Sequence, residues 1–147
     1  MSSATMRVLD VMSSDVVKAQ LLESVYDAVY RMLTKNVGSI IVTDNGNVVG
    51  VVTKGDVLRR AFLKGVDPKN LPVKKVMSSP PVTITPTATL EEASKIMNEK
   101  HVSKLPVVEN GKLVGIITST DIIGAEPMQV GYLQELVKAR FVPHELA

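Results

Sequence analysis

The chain contains two runs of hydrophobic and polar positions that repeat with an offset of 65 residues. Each run opens with a stretch predicted to be extended, 15–22 in the first and 80–87 in the second, where three prolines disfavour a helix. Apolar residues then recur at helical spacing, over Val25–Leu33 and Leu90–Met97. Each run therefore predicts a strand followed by a helix.

Two short apolar runs follow each predicted helix, and an Asn-Gly pair separates them, at Asn45-Gly46 and at Asn110-Gly111. Both central residues of a type I′ turn need positive φ, which Asn and Gly tolerate best, so each pair predicts a β-hairpin. A second helix is predicted to begin near Asp56 and Asp121. The predicted order in each run is strand, helix, strand, strand, helix.

Capping residues mark where the predicted helices begin. The segment Thr89-Leu-Glu-Glu92 has the residues of a capping box, and Ser24 and Asp27 form an approximate version at the same place in the first run. The second helix of the first run is predicted to end at Gly65, as a C′ glycine.

The two runs align without a gap, Val8–Leu58 against Val73–Ile123, which indicates one duplicated unit. A unit of this size buries only a thin core, so we expect the two copies to pack as one body. The predicted division is repeat 1 at 8–64, a linker at 65–72, repeat 2 at 73–124 and a C-terminal tail at 125–147. Within the tail, Tyr132 to Arg140 has the pattern of a short amphipathic helix.

Composition narrows the class of protein. With 147 residues, 45% hydrophobic and 22% charged, the chain is typical of a globular domain. A net charge of +2 is too small to indicate nucleic-acid binding, and no apolar run reaches membrane-helix or signal-peptide length, which favours a cytoplasmic protein. Without cysteine, and with two histidines far apart, disulfides, thiolate catalysis and cysteine metal sites are excluded and zinc is disfavoured.

One motif with candidate chemistry occurs in both copies. Gly, two apolar residues, Thr, two variable residues and Asp stand where a strand runs into a helix, which places Thr53 with Asp56 and Thr118 with Asp121. A threonine hydroxyl and backbone N–H groups there suit a phosphate, and an aspartate suits the two hydroxyls of a ribose. The alternative is plain helix capping, which duplication would copy as faithfully as a site.

These features together resemble a tandem pair of cystathionine-β-synthase (CBS) domains, the arrangement called a Bateman module. The resemblance rests on Val-Met-Ser-Ser at 11–14 and 76–79, the helix start at 89–93, the segment 103–118 and the two motif ends. It implies an α/β (α+β) fold of two β-α-β-β-α repeats that pack through their sheets with pseudo-two-fold symmetry.

The resemblance also implies two clefts for adenosine-containing ligands, AMP, ADP, ATP or, in some members, S-adenosylmethionine. The aspartates would bind ribose and the threonines phosphate. The base pocket would be lined in each repeat by the first strand and the middle of the second. In repeat 2 these residues are Val82, Thr83, Ile84, Lys104 and Pro106, and in repeat 1 they are Val17, Lys18, Ala19, Ser39 and Ile41.

The two copies differ within this implied pocket. Repeat 2 has Lys104 and Pro106, as in the family pattern, whereas Ser39 and Ile41 stand at the equivalent positions of repeat 1. Lys54 is the candidate phosphate partner in repeat 1, and a solvated surface lysine is the alternative for both lysines. We therefore expect Asp121 to contribute more to nucleotide binding than Asp56.

We expect a regulatory module that binds an adenosine nucleotide, has no catalytic activity or catalytic cofactor, and signals to an unidentified effector protein. Apolar helix faces favour a homodimer. The alternatives are a sensor of S-adenosylmethionine and a dimerisation or scaffold protein with vestigial clefts. An enzyme, a nucleic-acid-binding protein and a membrane protein are disfavoured.

Overall fold

The computed structural model describes residues 6–125, so the predicted tail helix at Tyr132–Arg140 lies outside the described residues. The described residues form five α-helices, a short first strand, two hairpins and several short helical turns. In the first half these are α1 (Val8–Val11), β1 (Lys18–Gln20), α2 (Val25–Thr34), β2 (Ser39–Asp44), β3 (Asn47–Thr53) and α3 (Lys54–Val57), which continues as a π-helical turn (Leu58–Phe62). In the second half they are two 3₁₀ turns (Pro68–Asn70 and Val73–Lys75), α4 (Leu90–Lys100), β4 (Lys104–Glu109), β5 (Lys112–Thr118) and α5 (Ser119–Ala125).

Within the described residues the strands form one five-stranded sheet in the order β1-β2-β3-β5-β4. The Asn-Gly pairs adopt the predicted turns, with φ of 51° and 82° at Asn45 and Gly46, and 52° and 81° at Asn110 and Gly111. The α/β fold and the two predicted hairpins are therefore confirmed.

The two halves of the sheet meet at their hairpin ends. Asn47 and Lys112 are the one register pair between β3 and β5. The Val48 amide donates to the Gly111 carbonyl at 3.3 Å, and the Leu113 amide donates to the Gly46 carbonyl at 3.0 Å. The 65-residue offset exchanges these two hydrogen bonds, so the repeats are related by pseudo-two-fold symmetry, as the resemblance implied.

The first strand is shorter than predicted in both repeats. β1 covers three residues and pairs parallel to β2. In repeat 2 the equivalent strand is reduced to an isolated parallel bridge, in which Ile84 donates to the Pro106 carbonyl and accepts from the Val108 amide. The prolines of 80–87 have no amide hydrogen, and this stretch therefore cannot form a longer ladder.

The Val-Met-Ser-Ser segments cross between the repeats. Ser13 and Ile116 exchange two backbone hydrogen bonds of 2.9 and 2.8 Å, and Ser78 and Val51 exchange the equivalent pair of 2.9 and 3.1 Å. Each repeat has its own apolar core between its helices and strands. Val8 is buried in the second core, and Val73 and Val76 are buried in the first. Each opening segment therefore packs against the other repeat.

No helix among residues 6–125 is long and apolar enough to cross a membrane.

Candidate functional site

The repeated motif forms the junction between the last strand of each repeat and the helix that follows. The Asp56 amide donates to Thr53 Oγ1 at 3.2 Å, and the Thr53 amide donates to Asp56 Oδ2 at 2.9 Å. The same two bonds join Asp121 and Thr118, at 3.1 and 2.9 Å. Both motifs are thus reciprocal helix caps. Each cap engages one carboxylate oxygen of the aspartate, Oδ2, and the two repeats differ in the hydrogen bonds of the other, Oδ1.

In repeat 1 the second carboxylate oxygen is also engaged. Asp56 Oδ1 accepts from Arg59 Nη2 at 3.2 Å and from Ser78 Oγ at 3.0 Å. The Asp56 side chain is only 2% exposed. Its carboxylate therefore has three internal donors and almost no contact with solvent.

In repeat 2 the surroundings of the equivalent oxygen are different. Among the described residues no donor contacts Asp121 Oδ1, and the side chain is half-buried. The position of Arg59 is taken by Gly124, and Ser13, the counterpart of Ser78, instead accepts from the Asp15 amide at 3.2 Å. Within residues 6–125, Asp121 therefore has one carboxylate oxygen that no hydrogen-bond donor engages.

Lys104 and Pro106 lie on β4, the strand that pairs with β5, and β5 leads into the helix of Asp121. Lys104 is directly opposite Thr118 in the antiparallel pair, which puts both side chains on one face of the sheet. Their neighbour Leu105 belongs to the second core, so Lys104 and Pro106 are on the face away from that core. A lysine and the threonine that was predicted to bind phosphate thus occupy neighbouring positions on one face of the sheet.

The first-strand residues of repeat 2 are divided between this face and the core. Val82 and Thr83 are half-buried, whereas Ile84 is 6% exposed and packs in the second core. The structure therefore brings the Ile84 backbone, bonded to the Pro106 carbonyl at 3.1 Å, to the site, and not its side chain.

Repeat 1 has the same layout with different chemistry. Ser39 is opposite Thr53, so a serine stands where repeat 2 has Lys104. Ile41 is buried and its amide donates to the Val17 carbonyl at 3.1 Å. Of the other predicted residues, Lys18 and Lys54 are exposed, and Ala19 packs in the first core.

Two residues of the site were not predicted from the sequence, Arg59 and Ser78. Comparing the copies at the 65-residue offset could have indicated Arg59, since glycine replaces it in repeat 2. Ser78 gave no such signal, because serine occurs in both copies and the crossing of the segments brings it to Asp56.

An apolar cavity of about 530 Å³ lies away from both motifs, between α2 and the helical turns that follow α3. Tyr26, Tyr30, Leu33 and Phe62 are among its lining residues. Among residues 6–125, no group of three or more His, Cys, Asp or Glu side chains is arranged to hold a metal ion.

A sequence profile described as CBS domain matches residues 8–62 and again 73–127, which together cover most of the chain. The chain belongs to the CBS-domain family. Tandem CBS modules are typical of regulatory proteins that sense ligands.

Relatives in bacteria and archaea have the same module. YhcV of Bacillus subtilis, a CBS domain-containing protein, is 33% identical over 115 residues, which are 78% of this chain and 81% of YhcV. MK0525 of Methanopyrus kandleri is 31% identical over 131 residues, 88% of this chain and 67% of that protein. MJ1225 of Methanocaldococcus jannaschii is 33% identical over 141 residues, 90% of this chain and 50% of that protein. The chain thus spans about half to two thirds of the length of several archaeal relatives.

Solved structures of CBS proteins have the same fold. The crystal structure of CBSX2 in complex with AMP has a TM-score of 0.73 at 28% identity, covering 86% of this chain and 98% of CBSX2. Hypoxic Response Protein I, solved with two coordinated zinc ions, has a TM-score of 0.74 at 24% identity over 80% of this chain and 96% of that one. At that identity the second comparison shows the fold alone.

Proposed function

We propose that this CBS protein is a regulatory module that binds an adenosine nucleotide, AMP, ADP or ATP, at its second repeat and signals to a partner protein. The proposal assigns binding and not catalysis to the chain. Membership in a family of ligand sensors supports it, and so does the likeness to CBSX2, which was solved with AMP.

The observation that carries the proposal is the carboxylate oxygen of Asp121 that no donor within residues 6–125 engages, on the same strand-to-helix junction as Thr118, which is the register partner of Lys104. A carboxylate oxygen accepts hydrogen bonds from ribose hydroxyls, and a lysine ammonium pairs with phosphate. Neighbouring positions of repeat 2 thus offer a complementary group to each polar part of a nucleotide.

The decisive substitution is Asp121→Ala, titrated with AMP by calorimetry. A charge-assisted hydrogen bond contributes about 1.5–3 kcal/mol, so we expect AMP affinity to fall by roughly 10- to 150-fold. Asp56→Ala should reduce AMP affinity less, because the Asp56 carboxylate is occupied internally. Unchanged affinity in Asp121→Ala would contradict the ribose assignment.

A matched control separates the loss of a ligand contact from the loss of a helix cap. Glu92 Oε2 accepts from the Thr89 amide at 3.2 Å, which is the same capping bond at the start of α4. Glu92→Ala should therefore lower stability without lowering AMP affinity.

A ligand panel tests the alternatives. A ligand at 100 times its Kd stabilises the folded state by about 2.7 kcal/mol, which a thermal shift detects easily. Stronger stabilisation by S-adenosylmethionine than by AMP would retain Asp121 as the ribose ligand and remove the phosphate roles of Thr118 and Lys104. No shift with any adenosine compound would favour the scaffold protein with vestigial clefts.

A further inference from the structure

We propose that Arg59 closes the cleft of repeat 1, so that each chain binds one nucleotide, at repeat 2. This inference rests on the proposed function and adds to it which residue decides how many sites are open. The motif itself is the same in both repeats, with Thr and Asp at matching positions. A difference in nucleotide binding between the two repeats therefore has to come from the residues that surround the motif.

Arg59 and Ser78 occupy the carboxylate that a ribose would need. Both donate to Asp56 Oδ1, while Oδ2 is taken by the Thr53 amide. A ribose hydroxyl would have to displace the guanidinium and expose a side chain that is 2% exposed. The Arg59 side chain is itself 64% exposed, so the competition takes place at the surface, where a ribose hydroxyl would meet an oxygen that already has two donors.

The absence of a side chain at Gly55 leaves space for the Arg59 guanidinium. A Cβ at position 55 would lie 2.8 Å from Arg59 Nη1, a distance that real Cβ atoms do not show. Glycine at 55 therefore allows Arg59 to fold back over the start of α3. In repeat 2 the equivalent positions are Thr120 and Gly124, so position 120 has a side chain and position 124 has no guanidinium.

A second arginine holds the crossing segment in place beside Asp56. Arg60 Nη1 donates to the Val76 carbonyl at 3.0 Å and to the Met77 carbonyl at 2.7 Å. The equivalent position in repeat 2 is Ala125. Ser78 is thereby held against Asp56, which adds to the closure of this cleft and has no counterpart at Asp121.

Two substitutions should open the closed cleft by independent routes. Arg59→Gly introduces the residue of repeat 2 and removes the guanidinium. Gly55→Thr keeps the arginine but displaces it, at low steric cost because the contact is with the far end of a flexible side chain. The double substitution Thr120→Gly, Gly124→Arg builds the arrangement of repeat 1 into repeat 2 and should close the open cleft.

Titration calorimetry of the full chain with AMP measures the number of sites. We expect one AMP per wild-type chain, two per chain for Arg59→Gly and for Gly55→Thr, and none for the double substitution. Lys64→Gly, which removes an exposed positive charge elsewhere on the surface, should leave one. Because two variants test the opening separately, poor folding of either leaves the other decisive.

Other results would overturn the inference. Two AMP per wild-type chain, or weaker binding in Arg59→Gly because the arginine contacts phosphate, would remove Arg59 as the closing residue while the proposed function stood. A single site that survives Asp121→Ala but not Asp56→Ala would also overturn it. No binding of AMP or any other adenosine compound to the wild-type chain would instead overturn the proposed function itself.

Discussion

The two aspartates have the same neighbours in sequence and different surroundings in space. Each accepts from the amide three residues earlier and caps its helix, but Asp56 is buried under Arg59 and Ser78 whereas Asp121 is half-buried. The chemistry of a carboxylate depends on whether its oxygens are already bonded, so among the described residues the same motif gives one aspartate with both oxygens engaged and one with a single oxygen engaged.

We predict that the charge of Lys104, and not its apolar stem, determines the preference for AMP over adenosine. The lysine is opposite Thr118, so AMP should bind at least about tenfold more tightly than adenosine, since a charged contact contributes on the order of 1.4 kcal/mol or more. Lys104→Met should remove much of that preference while leaving adenosine affinity unchanged, because methionine keeps the apolar stem.

Competition titrations with AMP and adenosine check this prediction, with Lys100→Met as the control, since Lys100 is exposed at the end of α4. Equal loss of both ligands would indicate a packing role for Lys104. Unchanged AMP affinity would indicate a solvated lysine.

The residue-level predictions from sequence succeed where the interaction is local. A cap joins residues three apart, so Thr53 and Asp56 could be placed at a strand-to-helix junction from their spacing alone. The bond from Ser78 to Asp56 spans 22 residues and depends on how the repeats cross, which no local pattern encodes.

At the level of elements, the hairpins and capped helices follow their sequence signals and the first strands do not. The Asn-Gly turns and the Thr89–Glu92 capping box form as predicted. The stretch 80–87 reaches only a single bridge, because its prolines lack the amide donors of a ladder. The π-helical turn over Leu58–Phe62 had no signal in the sequence that we recognised.

The motif glycines explain how the crossing segments fit against the strands. A Cβ at Gly115 would lie 2.8 Å from the Ser13 carbonyl oxygen, and one at Gly50 would lie 3.0 Å from the Ser78 carbonyl oxygen. In each repeat, the backbone of the crossing segment therefore lies where a side chain would stand, which is why glycine opens both motifs.

We predict that Gly115→Ala is destabilising, because the new methyl group meets the Ser13 backbone oxygen at 2.8 Å as well as the Met12 side chain, and the backbone cannot turn aside as a side chain can. Overpacking of this kind costs about 1–3 kcal/mol. Gly124→Ala is the control, since nothing among the described residues lies within 4 Å of its added Cβ and alanine favours a helix. Urea unfolding measures both, and equal stability of Gly115→Ala and wild type would show that the segment can move away.

At the level of the whole molecule, the two repeats have similar core residues and different surface residues. The outer face of α2 has Tyr26, Tyr30 and Leu33, where α4 has Glu91, Lys95 and Asn98 at the 65-residue offset. Duplication thus retained the core positions of both helices, while one outer face became apolar and the other polar. Isolated exposed apolar residues are common on proteins, but a contiguous face indicates a partner surface.

We predict that a second copy of this chain covers that face and the cavity beside it. Leu33 is 70% exposed and Phe62 73%, and both line the cavity of about 530 Å³. A closed two-fold dimer would bury the same apolar residues of both copies at once, and it is the commonest assembly of soluble chains. We therefore expect a homodimer in sedimentation velocity at high micromolar concentration.

The repeats supply a matched pair of variants for this test. Tyr30→Lys with Leu33→Asn transfers the residues of α4 to α2 and should give a monomer that still binds AMP, since neither residue lies in the motif of repeat 2. The same number of changes on α4, Glu91→Ala with Lys95→Ala, should leave the dimer intact because that face is already polar. A wild-type monomer, or a dimer that only the α4 variant disrupts, would show that the apolar face of α2 does not mediate self-association.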